Sequence, residues 1–192
     1  MNILVTLAAI LIISVNYAVL HASAADRPPR TPAKQEKESS SADKGNVAMR
    51  MEQGILQFTN EVRRNRNLAP VKPSEALRFL ASTQSSLLCK HGLLEHESDK
   101  FPPQWRRFSS RMQLVGVKSG AENIAYRTIA RNPLDWARDI VNGWMNSPAH
   151  KKNILDPRFL YMGVGVQLCK NNIAYVAQVF SPERGRAPQG PK

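Results

Sequence analysis

Near its carboxyl end the chain changes period. Val164, Val166 and Leu168 alternate with polar or small residues, Ile173, Tyr175, Ala177 and Val179 do the same, and Lys170-Asn171-Asn172 lies between as a turn. That pattern predicts an antiparallel β-hairpin. A lone hairpin is marginally stable in water, so other elements must cover it. The residues before it supply the cover. Val47, Met51, Ile55, Phe58 and Val62 follow one another at spacings of four, four, three and four, one stripe of an amphipathic helix reaching about Asn67. Ser74 is placed to cap a second helix whose Leu77, Leu80, Ala81 and Leu88 share a face, ending near His91-Gly92. Asn132-Pro133 is a cap followed by Pro at the first helical position, and Pro133, Ala137, Ile140, Val141 and Trp144 mark one face of a third helix. Ser147-Pro148 repeats the signal for a short helix through Leu155, stopped by Pro157. Residues 93–121 are irregular and predict a loop with one short helix. Helices first and a hairpin last argue for an α+β domain in which helices cover a small sheet.

Only one such domain fits. The chain has 192 residues, domains take roughly 100 to 200, and both ends are set apart by composition. Residues 1–24 hold no Asp, Glu, Lys or Arg, run apolar from Ile3 to Val15 and end in Ala22-Ser23-Ala24, the pattern of a cleaved signal peptide. A membrane anchor is the competing reading, since the apolar run can be extended to Leu20. Residues 25–46, rich in Pro, Ser, Lys and Glu and without an aromatic residue, predict a disordered linker or propeptide. Residues 182–192 predict a disordered basic tail, which leaves 47–181 as the globular part.

Secretion sets the reading of charge and sulfur. The net charge of +12 draws a secreted protein to anionic surfaces such as lipid headgroups, cell walls or sulfated glycans. Nucleic acid is not an expected partner, because zinc-finger, RNP and sustained basic-helix patterns are all missing. The cluster Arg63, Arg64 and Arg66 reads as the solvated side of the first helix. Cys89 and Cys169 either form one bridge in an oxidising compartment or remain two free thiols, and both readings stay open. Trp105, Phe108 and Met112, flanked by Arg106, Arg107 and Arg111, form either an exposed apolar and basic lip suited to lipids or the inner face of a short helix with solvated arginines.

The chemistry-bearing candidates are few. Neither HExxH nor GxSxG occurs, and no Cys sits beside a capped helix start. Taken alone, a loop histidine is usually a surface or packing residue. The order of motifs says more. G-L-L-E-H at 92–96, G-A-E-N-I-A at 120–125, G-W-M-N-S-P-A-H-K-K-N-I-L at 143–155, G-V-G-V at 163–166 and A-Q-V-F at 177–180 follow one another. Asn60-Glu61-Val62-Arg63 and Leu68-Ala69-Pro70-Val71 precede them. This series resembles the CAP superfamily of cysteine-rich secretory proteins, antigen 5 and plant pathogenesis-related proteins, also called SCP domains, in its shorter, bacterial-style branch. It covers nearly the whole globular part.

The resemblance implies a three-layer α/β/α sandwich with a small antiparallel sheet between helices, and a cleft where two His and two Glu converge. Carried over by motif, the first His is His96, the Glu of E-N-I-A is Glu122 and the second His is His150. The second Glu falls on Ser147, so that carboxylate is missing. Ala121 and Ala149 also stand where Gly is common, and His91 matches no motif position. Two imidazoles and a carboxylate, His96, Glu122 and His150, are a sufficient protein ligand set for Zn2+ or another divalent cation with a water in the fourth position. A hydrolase would also want a general base, which Ser147 does not provide. The expectation is therefore an extracellular binding or signalling module for a lipid, sterol or host-surface ligand, with divalent metal binding. The alternative is a metal-dependent hydrolase using His96, Glu122 and His150. A third reading is basic adhesion to anionic cell surfaces or glycans. Asn123 and Asn153 are expected to bond backbone, Trp144 to lie in the core, and Gly163 and Gly165 to let their strand approach a neighbour.

Overall fold

A computed structural model describes residues 32–187, with side chains from residue 43 onward. The expected signal peptide and residues 25–31 lie outside the described residues. In chain order the elements are helix α1 (Pro32–Arg64), strand β1 (Lys72–Pro73), helix α2 (Glu75–His91), a 3-10 turn (Pro103–Trp105), helix α3 (Phe108–Leu114), strand β2 (Ala121–Thr128), helix α4 (Pro133–Met145), helix α5 (Pro148–Ile154), strand β3 (Tyr161–Leu168), a 3-10 turn (Lys170–Asn172) and strand β4 (Ile173–Ser181).

The sheet order is β1-β3-β4-β2. The β3–β4 hairpin forms as its alternation requires, and β2 adds antiparallel to β4. The two-residue β1 pairs parallel to β3, so the sheet is not wholly antiparallel. Strand β2 is not among the expectations: Ile124, Tyr126 and Thr128 alternate within it, but Ala121, Asn123 and Ala125 between them are weak strand formers. Helices lie on both faces. Met51, Ile55 and Phe58 of α1 and Trp136, Ile140 and Trp144 of α4 pack on Val164, Val166, Val176 and Phe180. Leu77, Leu80 and Leu88 of α2, with Trp105 and Met112, cover Ile124, Ala177 and Val179 on the other face. That is the α/β/α sandwich.

Local signals fix the helix ends. The Ser74 side chain accepts from the Leu77 N–H, and Gly92, left-handed at φ 64°, closes α2 by donating to the Leu88 carbonyl. Asn132 caps α4 by accepting from the Leu134 N–H. Gly163 and Gly165 are where α2 meets β3. A Cβ on either would lie 2.1 Å and 2.2 Å from α2 backbone atoms, so a side chain is excluded. Cys89 at the end of α2 is bonded to Cys169 beyond β3, with their Cα atoms 6.1 Å apart, which decides between the two thiol readings.

Four expectations are corrected. First, α1 begins at Pro32, not Val47, so residues 32–46 of the expected linker are helical; Ala, Gln, Glu and Lys favour helix, and Pro32 sits at its tolerated first position. Second, the start of the tail is fastened: the Ser74 hydroxyl donates to the Arg184 carbonyl, the Arg186 N–H donates to the Val115 carbonyl at 2.9 Å, and Gly185 packs on Val117 and Ala76. Residues 188–192 lie outside the described residues. Third, Arg63 is buried, not solvated. Its guanidinium donates to the carbonyls of Ala69, Ile154, Asp156 and Phe159 at 2.8 to 3.1 Å, tying the end of α1 to the turn after α5. Burial lowers its pKa, partly offset by Asp156. Fourth, Trp105 and Met112 face inward, but Arg111 beside them is buried with them and is not solvated.

Candidate functional site

Three elements bring the motif residues together at the end of the sheet. After Gly92 the chain turns back across the edge of α2, and Gln84 on α2 donates to the Glu95 carbonyl at 3.1 Å, holding the loop that carries His96. Glu122 stands near the start of β2 on the α2 side of the sheet, opposite Val179. His150 lies in α5, stitched to β2 by asparagines: Asn123 donates to the His150 carbonyl at 3.3 Å, and Asn153 donates to the Asn123 side-chain oxygen at 2.9 Å and the Glu122 carbonyl at 3.4 Å. Asn123 and Asn153 thus have the backbone-bonding roles expected of them. Trp144 is in the core, with its indole N–H donating to the Ile124 carbonyl at 3.3 Å.

Glu122 is the centre of the cluster and is almost wholly buried. Its Oε1 lies 3.0 Å from His96 Nδ1. Arg111 Nη2 donates to both of its oxygens, at 3.0 and 3.1 Å. The rest of the Arg111 fork donates to Gln84 Oε1 and to the carbonyls of His96 and Trp105. Arg111 is 1% exposed. Burial lowers its pKa and the neighbouring Glu122 raises it, and guanidinium remains a cation in either case. A carboxylate at Glu122 can only accept, so it takes the Nδ1–H of His96 and orients that half-exposed ring. Burial, and then the nearby His96, lower the pKa of His150.

The structure therefore brings His96 and Glu122 into contact, with His150 near His96, and adds two residues that sequence reasoning missed, Arg111 and Gln84. Their signal was present: Gln84 lies four residues after Leu80 and four before Leu88 on the apolar face of α2, and Arg111 lies three residues after Phe108. Ser147 precedes α5 with no capping bond from its side chain. Among the described residues no group of three or more His, Cys, Asp or Glu side chains is placed to hold a metal ion. The reason is visible at Glu122, whose oxygens face a guanidinium. As placed here, His96, Glu122 and His150 do not form the three-ligand set expected of them.

A groove of about 360 Å³ opens beside the cluster. It runs along the outer edge of β2, with Leu94, Ile124 and Tyr126 on one wall, Ile140, Gly143 and Trp144 of α4 on the other, and Ser147 and His150 at one end. An Arg127–Asp139 pair at 2.8 Å crosses its rim. A Cβ added at Gly143 would meet nothing within 4 Å, so this glycine keeps the groove open without being required by the backbone.

Comparison with known proteins agrees with this geometry. Residues 56–180 match the model of the cysteine-rich secretory protein family, CAP. The chain is 29% identical over 138 residues to the uncharacterized protein YkwD of Bacillus subtilis, an alignment covering 71% of this chain and 50% of that protein. In structure it resembles an extracellular protein with an SCP domain from Bacillus anthracis, with a TM-score of 0.57 and 25% identity, over 82% of this chain and 45% of that one. It shares its fold with an outer surface protein of Borrelia burgdorferi, with a TM-score of 0.54 and 19% identity, over 69% of this chain and 89% of that one. The chain spans half or less of the lengths of the two Bacillus proteins.

Proposed function

We propose that this chain, which belongs to the cysteine-rich secretory protein (CAP) family, is an extracellular binding module whose ligand lies in the groove between β2 and α4, with His150 and His96 at its end. The observation that carries this reading is Glu122. A carboxylate held by Arg111 on both oxygens and by His96 on one is a structural anchor, whereas a hydrolase would need it free as a metal ligand or base. The neighbouring groove supplies what a binding site needs, apolar walls with a few polar groups at one end. Export is supported by the leader pattern, by a Cys89–Cys169 bridge suited to oxidising compartments, and by the extracellular description of the Bacillus anthracis protein. The charge of +12 concentrates the protein at anionic cell surfaces or glycans, where the ligand would be met.

Nuclear magnetic resonance titration of the isotope-labelled protein tests this. Three probes are used: dodecanoate, cholesteryl sulfate in bicelles, and the acetylated, amidated peptide Asp-Val-Thr-Val-Thr-Val-Glu. Each is repeated on Gly143→Leu, which fills the groove. Shifts at Ile140, Gly143 and Ser147 with at least one probe, lost in the variant, are expected. Groove signals that ignore all three overturn the reading. The competing metal-dependent hydrolase predicts turnover of peptide or ester substrates that a chelator abolishes and that His150→Ala removes.

A further inference from the structure

The sheet has two outer edges, and they are treated differently. On β3, beyond the short β1, the Val166 N–H donates to the Glu52 carboxylate at 3.0 Å, and Glu52 is held by Arg78. A side chain there stands in for the missing strand, a usual way of closing an edge against further pairing. On β2 the pairing register fixes which groups face outward. Ile129, one residue past the strand, donates to the Asn172 carbonyl, so odd-numbered residues bond β4 and even-numbered ones point away. The Glu122 and Ile124 carbonyls accordingly receive Asn153 and Trp144. At Tyr126 and Thr128 the sealing stops. Among the described residues nothing bonds their outward N–H and C=O groups, and both residues are exposed.

From this half-open edge we infer that the ligand of the groove is an extended, acid-bearing peptide that adds as a fifth strand to β2, pairing with the Tyr126 and Thr128 backbone. The inference rests on the groove-binding reading above and specifies its occupant. A row of outward N–H and C=O groups is complementary to an extended chain and to no lipid. In that position successive side chains of the peptide fall alternately against Leu94 and Tyr126 and against Ile140 and Gly143, the two walls of the groove. The net charge of +12 favours a peptide carrying carboxylates, although the rim cation Arg127 is already paired with Asp139.

The test uses the whole chain and the peptide named above, with versions N-methylated at alternate residues in each of the two phases. Strand addition predicts that one phase of methylation weakens binding at least tenfold and the other does not, and that the Tyr126 and Thr128 amides exchange more slowly in the complex. Tyr126→Pro removes an outward N–H that does not bond β4, together with the ring that packs on Tyr175, and is expected to weaken the peptide at least tenfold; Thr128→Pro provides the same backbone test at the strand end. Tyr126→Ala trims the same wall but keeps the N–H, so it is expected to weaken the peptide clearly less than Tyr126→Pro, and a loss as large as the proline's overturns the backbone pairing. Equal loss in both methylation phases, or unchanged amide exchange, overturns the inference. Dodecanoate shifting the groove while the peptide does not bind also overturns it and leaves the binding-module reading standing. Failure of every probe removes both.

Discussion

Replacing Arg111 with Met removes the guanidinium that the cluster is built on while keeping the bulk of the side chain. Arg111 and Glu122 have side chains 1% and 3% exposed, so neither can recover water as a partner once the other is gone. Removing one member of such a buried pair costs about 3–5 kcal/mol, mostly from the charge left behind. Here Gln84 Oε1 and the Trp105 carbonyl also lose a donor, which places the expected loss in the upper part of that range. For a domain of this size each kcal/mol lowers Tm by about 2–4 °C, so Arg111→Met should melt on the order of 10 °C below the parent. Glu122→Gln leaves the opposite charge unpaired and should cost nearly as much. The double variant should lose less than the sum by about 1–3 kcal/mol, because the two changes remove one interaction.

Urea unfolding of the disulfide-intact chain at pH 7, followed by far-ultraviolet circular dichroism, measures all three. Arg107→Met is the control. Its partner Glu97 is also within 3.1 Å, and that carboxyl is held below its usual range by the Phe108 N–H and then by Arg107. Both side chains are open to solvent, so the exposed pair is worth about 0–1 kcal/mol. An Arg111→Met loss no larger than that of Arg107→Met, or strictly additive losses in the double variant, would refute the claim that Glu122 is a tied anchor.

Three further outcomes follow from the same structure. Reducing the Cys89–Cys169 bridge, which closes a separation of 80 residues, should cost up to about 4.5 kcal/mol in the chain-entropy model, read as a lower urea midpoint with dithiothreitol. Gly143→Ala should stabilise the chain by about 0.5–1 kcal/mol, since helix propensity rises and the new methyl meets nothing, whereas Gly163→Ala should destabilise it strongly by pushing β3 off α2. A Gly163→Ala variant as stable as the parent in thermal melts would show that the close approach is not needed. His150 titrates below its usual value in the folded chain because of burial and then His96. The unfolded chain takes up the proton near pH 6.5, so below that pH it binds more protons than the folded one until the lowered folded pKa is passed. Stability should fall with pH across that window more steeply in the parent than in His150→Gln, and parallel Tm profiles from pH 7 to 5 would contradict this.

The legible and illegible parts of the sequence separate on a physical line. Ser74, Gly92 and Asn132 act within a few residues of themselves, so helix ends could be read from local chemistry alone. The hairpin was legible for the same reason. The strand at β2 was legible only in part: Ile124, Tyr126 and Thr128 alternate, but Ala121, Asn123 and Ala125 between them are held there by β4, whose residues lie some fifty positions along the chain. Arg63 and Arg111 failed in another way. A charged residue beside an apolar stripe is usually solvated, and each of these is buried only because distant carbonyls or a carboxylate converge on it.

The site itself was half legible. The motif order located His96, Glu122 and His150, but a motif marks positions and says nothing of what neutralises them. Had Glu122 faced solvent or a vacant pocket, the same letters would describe a metal ligand. The guanidinium of Arg111, eleven residues earlier in the chain, turns it into a support for the His96 loop and for β2. Support of that kind matters to a groove whose wall is an edge strand. Anchored through Asn153 and Trp144 at its first half, β2 presents its second half in a fixed register. A backbone row that is both rigid and unpaired is what an incoming strand requires, because the ordering cost has already been met on one side of the interface.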